Sequence, residues 1–342
     1  MTAVSNMTST GRRPNQTDIA SRLGVSVSTV SRALANEEGI SEAVRRDVQR
    51  MARTMGYRSK HMPGLRAMDR RVVALVPFAN ATGGLSSFYV SILDAMRSEA
   101  RACGLDLDVR VISERTVNLD LIDRHVKEAG AGAVLLAGID ATEELAVWCR
   151  EQDVHAVLVN GSDPLMRISS VAPANFYGAY MATKHLLSCG HRKILHYTYG
   201  DRPTILERRR GFVTAMADVP GSEAVLVCGE ERTPLELLSD IAGRKHDATA
   251  LFCWNDIAAV EIMEGIKGGL ASAGQGFSII GFDDLPLAAM TSPRLTTIRV
   301  DREAIGRGAI RLLSHQLEGE TAIQQMEIGV SLVAGGTVHV IA

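Results

Sequence analysis

Short hydroxyl side chains crowd one stretch of the chain, LGVSVSTVSRAL at residues 23–34. Val30 and Leu34 have the spacing of one helical face, so a helix here would bury them. Its exposed side chains would be Ser28, Thr29, Ser31 and Arg32. Short hydroxyls can hydrogen-bond phosphate oxygens at close range, and arginine matches a guanine edge. The stretch therefore predicts a nucleic-acid-binding helix, with a small helical domain carrying a solvated polar face as the alternative.

Three short helices within residues 15–57 are expected to position this surface. The first begins after Asn15, its N-cap, and Gly24 suits the left-handed position that ends it. Ser26 caps the second helix and Ser41 caps the third. A tight glycine turn between the first two helices is typical of a helix–turn–helix unit.

Charge is distributed unequally along the chain. Residues 1–70 hold 12 Lys and Arg against 6 Asp and Glu, a net charge of +6, while the remaining 272 residues carry −8. A basic head on an acidic body indicates nucleic-acid binding confined to one module. Residues 1–14 are predicted to form a disordered basic arm, and residues 58–70 a hinge or linker.

Beyond residue 70, short apolar runs alternate with helical stretches. Examples of these runs are VVALVP at 72–77, AVLLA at 133–137 and SIIGF at 278–282. Such alternation predicts parallel sheets covered by helices, and the number of runs favours two α/β lobes. The expected fold class is an all-α helix–turn–helix head followed by a two-lobed α/β body over residues 71–342.

The signatures of an α/β enzyme are missing from the sequence. It has no glycine-rich nucleotide loop after the first strand, no G-x-S-x-G and no metal-spaced histidines, so no catalytic residue, cofactor or metal is predicted. The five cysteines lack paired spacing, which favours free thiols. With no apolar run of about 18 residues and no signal peptide, a cytoplasmic location without membrane partners is expected. An enzyme or solute receptor acting on a small polar metabolite is the alternative function.

Several longer motifs occur in a distinctive order. They are TDIASRLGVSVSTVSRAL at 17–34, ISEAVRRDVQRMARTMGYR at 40–58, HLLSCGHRKI at 185–194, RRRGF at 208–212, WNDIAAVEIM at 254–263 and IIGFDDLPLAAMTSPRLTTI at 279–298. In this order they closely resemble the lactose/galactose-repressor (LacI/GalR) family of bacterial transcription regulators. The resemblance implies a DNA-binding regulator, commonly a repressor, controlled by a small effector.

The resemblance also implies which head residues contact DNA. They are Val27, Ser28 and Arg32 at base edges, and Asn15, Thr29 and Ser31 at phosphates. Because one recognition helix contacts few bases, we expect a homodimer on a near-palindromic operator.

For the body, the resemblance implies a type I periplasmic-binding-protein-like fold, with the effector between two lobes joined by three chain crossings. Lobe 1 would cover about 71–172 and 299–329, and lobe 2 about 173–298 and 330–342. The implied effector contacts are Phe88, Tyr89, Asn160, Arg208, Asn255 and Asp283. Such side chains suit a sugar, a sugar acid or a similar polar metabolite, with a nucleobase as an alternative. Trp254, where the family prefers small residues, would narrow the cleft or fill core.

The linker departs from the family pattern, which has a short helix that inserts a leucine into the minor groove. Pro63 and Gly64 disfavour a helix through this stretch. The alternative is a shortened helix that begins at Pro63 and carries Leu65, Arg66 and Met68. We therefore expect Leu65 to be a weak wedge at most, with Lys60 and Arg66 contributing mainly charge in the minor groove.

Overall fold

The computed structural model describes residues 14–35, 37, 39–55, 57, 70–81, 86–113, 117–269 and 277–341. Two compact units divide the chain: Met1–Asp69 together with His315–Ala322, and Arg70–Ser314 together with Ile323–Ala342.

The helices are α1 (Gln16–Leu23), α2 (Val27–Leu34), α3 (Glu42–Thr54), α4 (Phe78–Ala81), α5 (Ser86–Ala102), α6 (Leu119–Ala129), α7 (Glu143–Gln152), α8 (Asn175–Ser188), α9 (Pro203–Ala217), α10 (Pro234–Ala242), α11 (Asp256–Lys267), α12 (Pro286–Met290) and α13 (Arg302–Leu317). The strands are β1 (Arg71–Pro77), β2 (Asp106–Ile112), β3 (Ala133–Ala137), β4 (His155–Val159), β5 (Ser169–Pro173), β6 (Lys193–Thr198), β7 (Glu223–Cys228), β8 (Ala250–Cys253), β9 (Ser278–Ile280), β10 (Thr297–Val300), β11 (Gln325–Ile328) and β12 (Val330–Val333).

The first unit packs α1, α2 and α3 around a small apolar core. The buried side chains of this core are Ile19, Ala20, Val30, Ala33, Leu34, Val48 and Ala52. Gly24 adopts φ +65° after α1, and Ser26 Oγ accepts a hydrogen bond from Thr29 N to cap α2. The predicted helix–turn–helix head is confirmed.

Lobe 1 of the second unit is built on a parallel sheet. Among the described residues its strands follow the order β11-β5-β4-β3-β1-β2. Parallel sheets are covered on both faces, which explains why β3 is the continuous apolar run AVLLA and is buried at every position.

Lobe 2 is built on a second parallel sheet, which in the described part of the chain has the order β7-β6-β8-β9. Strand β10 pairs with β12 antiparallel, and isolated bridges attach it beside the end of β9. The chain passes between the lobes after β5, after β10 and after β11. The two-lobed α/β body is therefore confirmed.

The described residues contain neither a membrane-spanning helix nor a cluster of metal ligands. No helix among them combines the length and the apolar character needed to cross a membrane. No group of three or more His, Cys, Asp or Glu side chains there could hold a metal ion. The five cysteines are present as free thiols.

Candidate functional site

The exposed face of α2 carries the side chains that the sequence predicts at DNA. Val27, Ser28, Ser31 and Arg32 are exposed, and Thr29 is half-buried. Ser26 Oγ lies 2.8 Å from Ser28 Oγ and 2.7 Å from Thr29 Oγ1, so the hydroxyls of the first turn are already ordered. Val27 is 42% exposed, which leaves an apolar side chain on the same polar surface.

Arg32 is oriented by a neighbour that sequence reasoning did not single out. Its Nε donates to Glu37 Oε2 at 3.2 Å. Glu37 is itself exposed. The contact engages one edge of the guanidinium, and both side chains remain about half exposed.

Asn15 has a structural role at the start of α1. Its Oδ1 accepts from Asp18 N at 3.0 Å, while Asn15 N donates to Asp18 Oδ2 at 2.8 Å, which together form a capping box. The predicted phosphate contact would be additional to this capping. Lys60, Leu65, Arg66 and the Pro63-Gly64 pair lie outside the described residues.

In lobe 1 the structure brings Tyr89 and Asn160 together. Asn160 follows β4 with φ +53°, and its Nδ2 donates to Tyr89 Oη at 3.0 Å. Asn160 is nine-tenths buried, and within the described chain its Oδ1 has no hydrogen-bond partner. The predicted residue thus presents a desolvated acceptor that a ligand hydroxyl or amine could satisfy.

The aromatic pair of lobe 1 is closed off from solvent. Phe88 and Tyr89 are each 3% exposed and pack edge to face, with ring centroids 5.2 Å apart. Gly138, after β3, has φ +72°, and a Cβ at this position would collide with the Asn80 amide and the Tyr89 hydroxyl. Only glycine therefore allows the Tyr89 hydroxyl to reach the carboxyl edge of the sheet.

In lobe 2 Arg208 is buried at the centre of a polar cluster. Its Nε donates to Asn175 Oδ1 at 2.8 Å, its Nη1 to the Trp254 carbonyl, and its Nη2 to Asp283 Oδ1 at 3.4 Å. The guanidinium also stacks on Phe282, with Cζ 3.7 Å from the ring centroid. The structure therefore brings the predicted pair Arg208 and Asp283 into contact, and adds Asn175, which the sequence did not assign to the site.

Burial sets the electrostatics of this cluster. It raises the pKa of Asp283 to about 6, although Arg208 and Arg302 oppose the shift. It raises the pKa of Asp256 to about 8, with the nearby Asp283 adding to the effect. Burial also lowers the pKa of Arg208, against the attraction of Asp283. Because Asp256 is buried and a second carboxyl lies near it, its raised pKa favours the protonated form at neutral pH.

Asn255 and Trp254 occupy the carboxyl end of β8. Asn255 Oδ1 accepts from Ala258 N at 2.8 Å and caps α11, so at least part of its amide serves a structural purpose. Trp254 stacks on Tyr199, with ring centroids 5.4 Å apart at 24°, and it also packs against the core of lobe 2. Tyr199 is 47% exposed, which makes this pair an accessible aromatic surface beside the cluster.

Sequence reasoning missed an ion pair that joins the two lobes. Arg202, just before α9 in lobe 2, donates through Nε to Asp140 Oδ2 at 2.7 Å and through Nη2 to Asp140 Oδ1 at 3.1 Å. Asp140 lies between β3 and α7 in lobe 1. The sequence did offer one signal for Asp140, because it follows the buried strand β3. Residues that follow the strands of a parallel sheet commonly face the ligand.

Family models match both parts of the chain. Residues 17–60 match "Bacterial regulatory proteins, lacI family", and residues 183–338 match "Periplasmic binding protein-like domain". The regulator GntR of Pseudomonas aeruginosa is 29% identical over 346 residues, covering 96% of each chain. The regulator DegA of Bacillus subtilis is 28% identical over 324 residues, covering 90% of this chain and 93% of DegA.

Solved structures of transcription regulators resemble this chain in fold. A complex of the transcriptional regulator CelR with cellobiose superposes with a TM-score of 0.69 at 22% identity, covering 95% of this chain and all of CelR. The lac repressor dimer bound to operator and the anti-inducer ONPF gives a TM-score of 0.65 at 19% identity, covering 96% of this chain and all of the repressor chain. At these identities the likeness concerns the fold.

Proposed function

The chain belongs to the lacI family of bacterial regulatory proteins, and we propose that it is an operator-binding transcriptional repressor whose DNA affinity is set by a small polar metabolite. The observation that carries the proposal is that one chain has two separate polar features. One is the exposed hydroxyl and arginine face of α2. The other is a set of buried polar groups at the carboxyl ends of the strands in both lobes.

The domain boundaries follow from this division. We propose a basic arm at 1–14, a DNA-binding domain at 15–57, a hinge at 58–70 and an effector-binding body at 71–342. In the body, lobe 1 comprises about 71–172 and 299–329, and lobe 2 about 173–298 and 330–342. The protein acts in the cytoplasm, where its operator is, and as a homodimer, since two heads are needed to read a near-palindromic site.

The proposed DNA contacts are Asn15, Val27, Ser28, Thr29, Ser31 and Arg32 in the head, and Lys60, Leu65 and Arg66 in the hinge. The proposed effector contacts are Phe88, Tyr89, Asn160, Arg208, Asn255 and Asp283. Support for the effector set comes from the Asn160 acceptor without a partner and from the Arg208–Asp283 contact. The exposed ring of Tyr199, stacked on the half-buried Trp254, suits the flat face of a sugar ring, and cellobiose is the ligand of the similar CelR.

The relatives reported above are transcriptional regulators, and we propose that this chain likewise has no catalytic activity. Its buried Arg208 and Asp283 bind each other rather than forming a nucleophile and base pair. We propose that Arg208 and Asp283 bind hydroxyl groups of the effector and take no part in a chemical reaction.

The experiment for DNA binding is selection from a random double-stranded library, followed by gel shifts on the enriched site. We expect one near-palindromic sequence, with affinity that falls steeply as salt rises. Arg32→Ala should lose about 1–3 kcal/mol on that site and far less on unrelated DNA. Failure to enrich any sequence would overturn the proposed function.

The experiment for the effector is a thermal-shift screen with neutral sugars, sugar acids, polyols and nucleobases. A ligand that binds only the folded state raises its melting temperature by mass action. We expect one of these classes to do so and to change the gel shift at the same concentrations. Ligands that raise the melting temperature without changing DNA binding would separate the two activities and contradict the proposed control.

A further inference from the structure

The Asp140–Arg202 contact is a two-pronged ion pair across the lobes. Both N–H···O distances, 2.7 and 3.1 Å, are those of a good hydrogen bond, and the two prongs fit the planar fork of arginine. The Arg202 side chain is 35% exposed and that of Asp140 23%, so the pair is partly desolvated. Such a pair holds more firmly than a fully exposed one.

Several other ion pairs in the described part of the body join residues of one lobe. Arg167 Nη1 and Glu143 Oε2, 2.6 Å apart, both belong to lobe 1. Arg294 Nη2 and Asp284 Oδ1, 3.5 Å apart, both belong to lobe 2. Asp140 and Arg202 differ because each lies on a separate lobe and neither is on a chain crossing. Their contact is therefore broken by any motion that moves these two lobe edges apart.

The interlobe ion pair also touches the proposed effector site. Arg202 Nη2 donates to the Asn160 carbonyl at 3.1 Å, and Asn160 Nδ2 in turn donates to the Tyr89 hydroxyl. The acceptor without a partner, Asn160 Oδ1, belongs to the same residue. A ligand group that binds Asn160 Oδ1 therefore contacts a residue that is hydrogen-bonded to Arg202, one partner of the interlobe ion pair.

We propose that the Asp140–Arg202 ion pair holds the two lobes together in the effector-free protein and sets the balance between closed and open lobe arrangements. A ligand at Asn160 then acts on that balance through Arg202, which belongs to lobe 2 and donates to Asp140 and Asn160 of lobe 1. Because two lobe arrangements are the states that an effector can bias, the ion pair is the positioning device for that response. The proposal rests on the two-lobed body and holds for any effector.

The test measures the distance between the lobes in the full chain without DNA or effector. Nitroxide labels are placed at Asp120 in α6 and at Leu235 in α10, both exposed, after the partly exposed Cys103, Cys149, Cys189 and Cys228 are changed to serine. Double electron–electron resonance then gives the distribution of distances. The variants are Asp140→Asn and Arg202→Gln, which remove one charge each; Asp140→Asn also keeps side-chain size.

In the protein with the intact ion pair we expect a single narrow distribution of label-to-label distances. In both variants we expect a second, longer distance as well. A pair of this kind shifts the ratio of open to closed arrangements by about fivefold, the equivalent of about 1 kcal/mol. The matched control is Glu143→Gln, which breaks an ion pair within lobe 1 and should leave the distribution unchanged. Thermal unfolding confirms that each variant is folded.

Salt provides a second measurement, with Arg202→Gln as its reference. At 1 M salt the Debye length falls to about 3 Å, so the intact pair weakens and its distribution should move toward that of Arg202→Gln. The Arg202→Gln distribution itself should not respond. Distributions in Asp140→Asn and Arg202→Gln that equal the unmodified one would overturn the proposal, while operator selection, which does not depend on this contact, would still stand.

Discussion

The Arg208 guanidinium lies flat on the Phe282 ring, with Cζ 3.7 Å from the ring centroid, and both groups are buried. A charge in such a place is stable only when its donors are satisfied, and Arg208 finds acceptors on three different elements: Asn175 of α8, Trp254 after β8 and Asp283 after β9. One side chain thus fastens together the strand ends that carry the proposed site in lobe 2.

We expect Arg208→Ala to destabilise the folded chain by about 3 kcal/mol or more, because it leaves buried acceptors without a donor. Urea unfolding measures the change. The matched control is the next residue, Arg209→Ala, whose side chain is 41% exposed and which should cost about 0.5 kcal/mol or less. Equal losses in the two variants would show that Arg208 does not hold the cluster together.

Asp256 should make stability depend on pH. Burial, helped by Asp283, raises its pKa from 3.8 to about 8 in the folded chain. Between these values the folded state holds a proton that the unfolded state has released. Its contribution to the free energy of unfolding is therefore full below pH 4 and is lost as the pH rises through about 8.

We expect Asp256→Asn to flatten this dependence. The amide can still accept from Leu285 N and can donate to the Thr297 hydroxyl, the two partners of the carboxyl. Unfolding in urea between pH 5 and pH 8 should show the variant gaining more than about 1 kcal/mol relative to the unmodified protein. Asp201→Asn removes an exposed carboxylate of lobe 2 and should run parallel to the unmodified protein; a parallel curve for Asp256→Asn would contradict the prediction.

Local signals in the sequence were enough to predict the head. Its caps at Asn15 and Ser26 and its turn at Gly24 depend on neighbours within a few residues, and the structure has each of them. The body's strands were predictable for a similar reason, since buried parallel strands are continuous apolar runs.

The site was only partly predictable. Arg208 and Asp283 carry motif signals, but they meet across 75 positions of sequence. Arg202 and Asp140 are 62 residues apart in sequence and belong to different lobes, so no local pattern could pair them. Asn255 shows the opposite limit, because a strand-end asparagine that caps a helix and one that faces a ligand look alike in sequence.

Asp283→Asn should separate effector response from DNA binding. The residue has φ +110°, and its backbone N–H donates to the Ile298 carbonyl at 2.8 Å, so its position is held by the main chain. The asparagine keeps the shape of the side chain and removes the charge that a polar ligand would meet. Operator affinity without effector should be nearly unchanged, as measured by gel shift. The concentration of effector needed for half the response should rise by about tenfold or more, the equivalent of about 1.4 kcal/mol.

Two other outcomes for Asp283→Asn would contradict this prediction. A variant that responds at the same effector concentration as the unmodified protein would remove Asp283 from the effector site. A variant with weakened operator binding and an unchanged response would assign the residue to the folding of the body rather than to the ligand.

The last prediction concerns Leu65 in the hinge. Pro63 and Gly64 precede it, and in a helix interior they cost about 3 and about 1 kcal/mol, so a helix spanning both is disfavoured. A leucine that is not held by a helix cannot be driven firmly between base pairs, whose unstacking costs a few kcal/mol. Leu65→Ala should therefore weaken operator binding by well under that amount, as measured by gel shift on the selected site. Arg66→Ala is the matched comparison: it should reduce the dependence of affinity on salt by about one counterion, whereas Leu65→Ala should leave that slope unchanged. A loss of about 3 kcal/mol or more for Leu65→Ala would mean that the wedge forms despite Pro63 and Gly64.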